Sequence, residues 1–234
     1  AKKNNFLAAV LYGQKNVGVS FLDISTGEFL VAEGTPDYVD KLLQSFQPTE
    51  VIYQKEKRKK FEEDFGTSFY TYMLDDWVFT TDYTNDLLYA QFKTNSLKGF
   101  GVSDLVDGLI AAGVALHYLN ETHHHQTKHI SRISRIEEDK YVWMDRFTIR
   151  NLELFSSPNE GAKTLIDVLD ETKSPMGARM LRRWLALPLK NEKKINVRHN
   201  IVQKILADGK LSSVLSEEIS KIGDLERLIS KVAT

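Results

Sequence analysis

Phe6-Leu-Ala-Ala-Val-Leu-Tyr12, Val17-Gly-Val-Ser-Phe-Leu-Asp23 and Glu28-Phe-Leu-Val-Ala32 are the runs that decide the fold. Each is short, apolar and rich in strand-forming residues, so each reads as a buried strand rather than a helix. Gly13-Gln-Lys-Asn16 and Ser25-Thr-Gly27 separate them with turn chemistry, which makes three strands of an antiparallel meander.

Outward from the meander, Thr35-Pro36-Asp37 is a capping start, and Tyr38, Leu42, Leu43 and Phe46 recur at helical spacing up to Pro48. Val51-Ile-Tyr53 predicts a strand, Lys57 to Phe65 a polar helix and Ser68 to Tyr72 another strand. Helices follow from about Tyr83 to Phe92 and from Val102 to Asn120. The order β-β-β-α-β-α-β-α predicts an α/β domain over residues 1–121, and it resembles the ribonuclease-H-like fold.

Residues 122–145 read as a linker with short β-like alternation from Ile130 to Asp145, and residues 146–234 as a partial all-α domain. There, Lys163 to Asp170 predicts a short helix with Leu165, Ile166 and Leu169 on one face. Ser174-Pro175 starts a helix whose Met176, Met180, Leu181, Trp184 and Leu185 form an apolar stripe. Trp184 reads as core. Glu192 to Asp208, stopped by Gly209, is the next helix, and Leu225, Leu228, Ile229 and Val232 mark a last one. An incomplete helical core is expected to leave apolar faces exposed.

Composition narrows the function classes. There is no cysteine, which excludes disulfides and thiolate chemistry. No apolar run approaches about 20 residues, so no membrane span is expected and a cytoplasmic location is. The net charge of -1 hides an asymmetry: -6 up to Glu121 and +5 from Thr122 onward. The acidic half argues against a nucleic-acid groove there; the basic half permits DNA proximity. The lack of an initiator Met and the ending Val232-Ala233-Thr234 suggest a piece of a longer chain.

Phe21-Leu-Asp-Ile-Ser-Thr-Gly-Glu-Phe29, Gly99-Phe-Gly101 and Ala111-Ala-Gly-Val-Ala-Leu-His-Tyr-Leu119 resemble the connector domain of the MutS family of DNA mismatch-repair proteins. Arg150-Asn-Leu-Glu-Leu154, Met176-Gly-Ala-Arg-Met-Leu-Arg-Arg-Trp-Leu185 and Ile222-Gly-Asp-Leu-Glu-Arg227 resemble the start of its core (lever) region. Each match is weak alone; six in order are strong. The resemblance implies a connector coupling DNA-binding and ATPase parts, other MutS domains around it, and a MutL-like partner. It implies a homodimeric parent that binds mismatched duplex DNA and uses ATP and Mg, while this piece is expected to be monomeric. The family's Phe-x-Glu mismatch reader would precede Ala1, and its DNA-gripping clamp would follow Thr234. The P-loop pattern is absent, the only Gly-Lys being Gly209-Lys210. No catalytic residue, cofactor or metal is therefore assigned to these residues themselves.

For partner contact, Asn85, Asp86 and Tyr89 stand out as polar and aromatic groups at what reads as an exposed helix start. Arg179, Arg182 and Arg183 lie opposite the apolar stripe, where they could approach phosphate or pair with Asp167 or Glu171. The run Lys55-Glu-Lys-Arg-Lys-Lys60 reads as a solvated helix start, with a DNA or acidic-partner patch as the alternative. His123, His124, His125 and His129 read as a loop, with weak metal binding as the other possibility. A metal-dependent nuclease using Asp23 and Glu28 is the enzymatic alternative, since the fold can carry one. An unrelated helical adaptor is the third reading.

Overall fold

β1 (Phe6–Tyr12), β2 (Val17–Asp23) and β3 (Glu28–Gly34) form the antiparallel meander, with Phe6 opposite Asp23 and Val17 opposite Gly34. Every residue of β1 and β2 is buried, so these strands are covered on both faces, as their mainly apolar runs require. This is a computed structural model that describes residues 2–122 and 127–232. The chain divides into two compact units, one built on Asn4–Ile136 and the other on Glu137–Leu228.

In the first unit, α1 (Pro36–Phe46) carries the chain back to β4 (Glu50–Gln54), which pairs parallel with β1. The Thr35 hydroxyl accepts from the Tyr38 N–H and Pro36 opens the helix, so the capping start forms as read. α2 (Arg58–Phe65) then leads to β5 (Thr71–Leu74), parallel to β4. The strand expected at Ser68–Tyr72 is shifted toward the C-terminus, because pairing Val51 with Thr71 lets Leu74 pack on the core. A two-residue β6 (Ser134–Arg135) joins β3 in parallel, giving the order β5-β4-β1-β2-β3-β6. The alternation expected through Asp145 ends there. The chain turns away at Glu138–Lys140, where the Trp143 indole donates to the Glu138 carbonyl, and only a bridge between Tyr141 and Leu189 follows.

The sheet has two covered faces. Phe46 of α1 stacks on Phe21 at 4.5 Å, and Phe61 of α2 stacks on Tyr53 at 4.1 Å. On the other face, Leu7, Ala9, Leu11, Leu22 and Val31 pack in one cluster with α4 (Val106–Glu121), beside α3 (Thr81–Phe92). α4 begins four residues later than the apolar pattern suggested. Val102 and Leu105 are buried in a turn, and the second and third helical N–H groups, of Asp107 and Gly108, donate to the Glu33 carboxylate at 2.9 and 3.2 Å. From Gly108 to His117 every residue of α4 is buried, and the Ala111 carbonyl accepts from the Ser20 hydroxyl at 3.0 Å. A helix apolar all round needs cover all round. Here that cover depends on closeness: a Cβ at Gly113 would fall 2.7 Å from Thr84 Cα and 2.8 Å from its carbonyl oxygen, so α3 and α4 touch backbone to backbone.

The second unit is helical: α5 (Arg146–Asn151), α6 (Leu165–Leu169), α7 (Pro175–Ala186), α8 (Glu192–Ala207), α9 (Gly209–Lys221) and α10 (Leu225–Val232), whose last turn lies beyond Leu228. Side chains of Asp145, Thr164, Ser174, Asn191 and Asp208 cap five of these helices. α9 was not anticipated. Gly209 does stop α8, but Asp208 accepts from the Leu211 N–H and starts another helix at once. The stripe of α7 is only partly covered: Met180 is 55% and Trp184 41% exposed and Met176, Leu181 and Leu185 are half-buried, while Ala178, Arg179 and Ala186 are buried. In α6 only Ile166 is buried, with Leu165 and Leu169 exposed. α8 and α9 carry no buried residue, so Ile201, Leu206, Val214 and Ile219 meet solvent, the exposed apolar faces foreseen for this region.

Gly113→Ala is expected to destabilise the first unit by about 1–3 kcal/mol, since α3 must be pushed off α4. Gly99→Ala, with open space around it, should leave stability unchanged, and urea unfolding of both variants checks the contrast.

Candidate functional site

Asn85 and Tyr89 sit four residues apart on α3 and therefore share one face of it. Together with Thr81, Ser96, Leu97, Lys98 and Ser103 they line a shallow cavity of about 210 Å³. Leu97, Val106 and Leu109 give the lining its apolar part, and the remaining residues bring hydroxyls, an amide and one ammonium. The chain after α3 is fixed locally: the Thr94 N–H donates to the Tyr89 carbonyl, and the Ser96 and Lys98 N–H groups donate to the Thr94 and Ser96 hydroxyls. Such a hollow suits a polar or acidic side chain presented by another surface. Asp86 is exposed but does not line it. The helix begins at Thr81, so these residues lie in its second and third turns rather than at an exposed start.

The carboxylates of the enzymatic alternative do structural work. Asp23 is fully buried, and its Oδ1 accepts from the Ser25 N–H and hydroxyl at 2.8 and 2.6 Å. Its Oδ2 accepts from Asn4 Nδ2 at 2.8 Å and the Asn5 N–H at 3.2 Å. Asn4 also reaches Glu28 at 3.4 Å, so both acids tie the β2–β3 turn to the segment that leads into β1. Among the described residues no group of three or more His, Cys, Asp or Glu is placed to hold a metal ion. His123, His124 and His125 lie outside the described residues; the His129 ring hydrogen-bonds the Ile24 carbonyl.

The three arginines do not form one patch. Arg179 is 5% exposed and donates through both Nη atoms to Asp224 at 2.8 and 2.7 Å, and through Nε to Glu226 at 3.0 Å. It is therefore neither phosphate-facing nor paired with Asp167 or Glu171. Two carboxylates answer a guanidinium that burial would otherwise destabilise, and the bidentate fork fixes their geometry. The pair hold the Arg179 pKa up, and Arg179 holds the Asp224 carboxyl below the usual carboxylate range. Arg182 lies 5.0 Å over the Phe155 ring, burial lowering its pKa against Asp167 and Asp170. Arg183 is half-buried. In the basic run, Lys55, Arg58 and Lys60 pair with Asp75, Glu62 and Asp64 at 3.7, 2.9 and 3.9 Å, as on a solvated helix start.

One cluster had no signal in the sequence. Tyr83 Oη lies 2.7 Å from His117 Nδ1, and Trp77 packs on both rings at 5.3 and 5.6 Å. Nearby on α4, Tyr118 packs on Tyr72 at 5.1 Å and donates to both oxygens of Glu50 at 3.0 Å. Burial and Glu50 push the Tyr118 phenol up to about 12. Burial lowers the His117 pKa.

Comparison with known proteins gives two family matches: MutS domain II over residues 5–131 and MutS domain III over residues 147–234. Among curated relatives, the DNA mismatch repair protein MutS of Christiangramia forsetii is 54% identical over 100% of this chain, which covers 27% of the relative. MutS of Flavobacterium johnsoniae is 53% identical over 100% of the chain and 27% of the relative. MutS of Bacteroides fragilis is 53% identical over 99% and 27%. The chain thus spans about 27% of the length of these relatives.

Arg179→Met should cost the second unit about 3 kcal/mol at neutral pH by taking the bidentate partner from Asp224, which keeps only Arg227 at 3.7 Å. Because the Asp224 pKa is lowered in the folded state, its share of stability is full above about pH 4 and is lost as pH falls through the depressed value. The gap between variant and parent in urea unfolding should therefore narrow at about pH 3.

Proposed function

The chain belongs to the MutS family, of which it carries the domain II and domain III portions, and from that premise we propose that it is a coupling and docking module of a mismatch-repair ATPase. The first unit is read as a ribonuclease-H-like connector. Support for that reading comes from an antiparallel meander flanked by parallel strands in the order β5-β4-β1-β2-β3. The second unit is the helical start of the core. These residues act by contact rather than by chemistry of their own. ATP with Mg, mismatched duplex DNA and the homodimer contact belong to other parts of the longer protein, in a cytoplasmic setting.

The docking part of the proposal rests on one observation, the cavity lined by Asn85 and Tyr89. It is formed by a rigid helix and a hydrogen-bonded loop, so a partner meets a preorganised surface and loses little on ordering it. A MutL-like protein is the partner this family membership favours, and its contribution would be an acidic or polar side chain seated beside Lys98. The carboxylate alternative is not favoured, because Asp23 already spends both oxygens on four donors.

Calorimetric titration of the chain with the ATPase domain of a MutL-like protein tests this. Saturable binding that weakens about tenfold in Tyr89→Ala, a loss of about 1.4 kcal/mol, is the expected outcome. Asp86→Lys, off the cavity, should change affinity less. Binding that ignores Tyr89, Asn85 and Lys98 substitutions would remove the cavity from the docking surface.

A further inference from the structure

β5 ends the sheet. Among the described residues it pairs with β4 alone, the Val51 N–H donating to the Tyr70 carbonyl at 2.9 Å in the register Val51 opposite Thr71. In a parallel ladder alternate residues face the partner strand, so Tyr70, Tyr72 and Leu74 are engaged and Thr71 and Met73 turn N–H and C=O to the open edge. Open edges in natural proteins are usually guarded by lysine, proline or a bulge. Tyr70-Thr-Tyr-Met-Leu74 has none of these, and Thr71, Tyr72 and Met73 are all exposed. The strip beside it is aromatic: Tyr70 is 74% and Trp77 58% exposed. Trp77 is held against Tyr83 and His117, and Tyr72 against Tyr118, so the rings are ordered before any partner arrives.

The charge around this edge has one sign. From Tyr70 to Tyr83 the chain carries Asp75, Asp76 and Asp82 and no Lys or Arg, and Glu50 and Glu121 stand on the adjoining elements. Lys55 approaches only to pair with Asp75. Asp76 keeps Oδ1 buried without a hydrogen-bond partner, an acceptor that lacks its donor. Aromatic faces and carboxylates together recognise ammonium or guanidinium groups. A free strand edge recognises extended backbone.

We propose that the edge of β5, with Tyr70, Tyr72, Trp77 and Asp76 beside it, binds an extended lysine- or arginine-bearing segment of a partner protein, which adds to the sheet as a further strand. The surface goes beyond the docking cavity and shares none of its residues. Nucleic acid does not fit, because its phosphates would meet carboxylates. Nor does a second copy of this edge, because the Asp75 and Asp76 pairs would face one another.

The test uses the whole chain and a synthetic peptide of about eight residues alternating lysine and valine, titrated at low salt while backbone amides are followed by NMR. Expected are saturable binding, protection of the Thr71 and Met73 amides from exchange, and affinity about tenfold lower in Trp77→Ala. Met73→Pro should abolish binding without unfolding the chain, since its N–H faces outward and proline is tolerated at such edge positions. An aspartate–valine peptide, and a lysine–valine peptide N-methylated on consecutive residues so that both of its edges are blocked, should not bind. The proposal is overturned by absent binding, by binding that leaves Thr71 and Met73 unprotected, or by equal binding of the N-methylated peptide. Protection of those amides that rises with protein concentration alone would also overturn it, as the edge would then pair with itself.

Discussion

The first unit depends on burying α4, a helix with no polar side. A helix of this kind is stable only where apolar surface meets it in every direction, and here the sheet supplies one side and α3 another. Small residues make the approach possible. Ala111, Ala112 and Ala115 lie along α4, and Gly113 lets Thr84 of α3 reach its backbone. Polar groups at its N-terminus are answered from a distance by Glu33, so the end of a buried helix is not left unsatisfied. Once α4 is fixed, the positions of both surfaces follow. Val106 and Leu109 line the cavity beside Asn85 and Tyr89, and His117 and Tyr118 order the aromatic strip next to β5.

The second unit solves a different problem. Its helices are short of apolar cover, and their ends are defined by side-chain caps. Its most directional contact is ionic: Arg179 on α7 held by Asp224 and Glu226 around the start of α10. A buried ion pair is weak evidence for stability but strong evidence for register, because a bidentate fork tolerates only one arrangement. Apolar residues on α7, α8 and α9 that meet solvent fit a family whose members are much longer than this chain.

What could be read from the residues followed a physical rule. β1, β2 and β3 were legible because each is a short, mainly apolar run and turn residues separate them. α1 was legible from Thr35-Pro36, whose cap geometry is local. β5 was displaced because Ser68–Tyr72 and Thr71–Leu74 are equally strand-like, and only pairing with β4 chooses between them. α9 was hidden by treating Gly209 solely as a stop, although Asp208 followed by Leu211, Val214, Leu215 and Ile219 carries a cap and a helical period. The orientation of α7 is not legible locally, because an arginine without a nearby partner in sequence reads as an outside residue. Its partners lie 45 and 47 residues further on, beyond any local pattern. Likewise Asn85 and Tyr89 were singled out but not the loop that completes their hollow, and Trp77, Tyr83 and His117 meet only through the fold.

Native-state hydrogen exchange of the α4 amides from Ile110 to Leu116 tests the central claim most directly. If the buried helix is what the sheet is built upon, these amides exchange only through the largest opening of the first unit, at the same free energy as those of β1 and β2. Exchange of α4 through a smaller opening, with β1 and β2 still protected, would show that the sheet stands without it and would contradict the account.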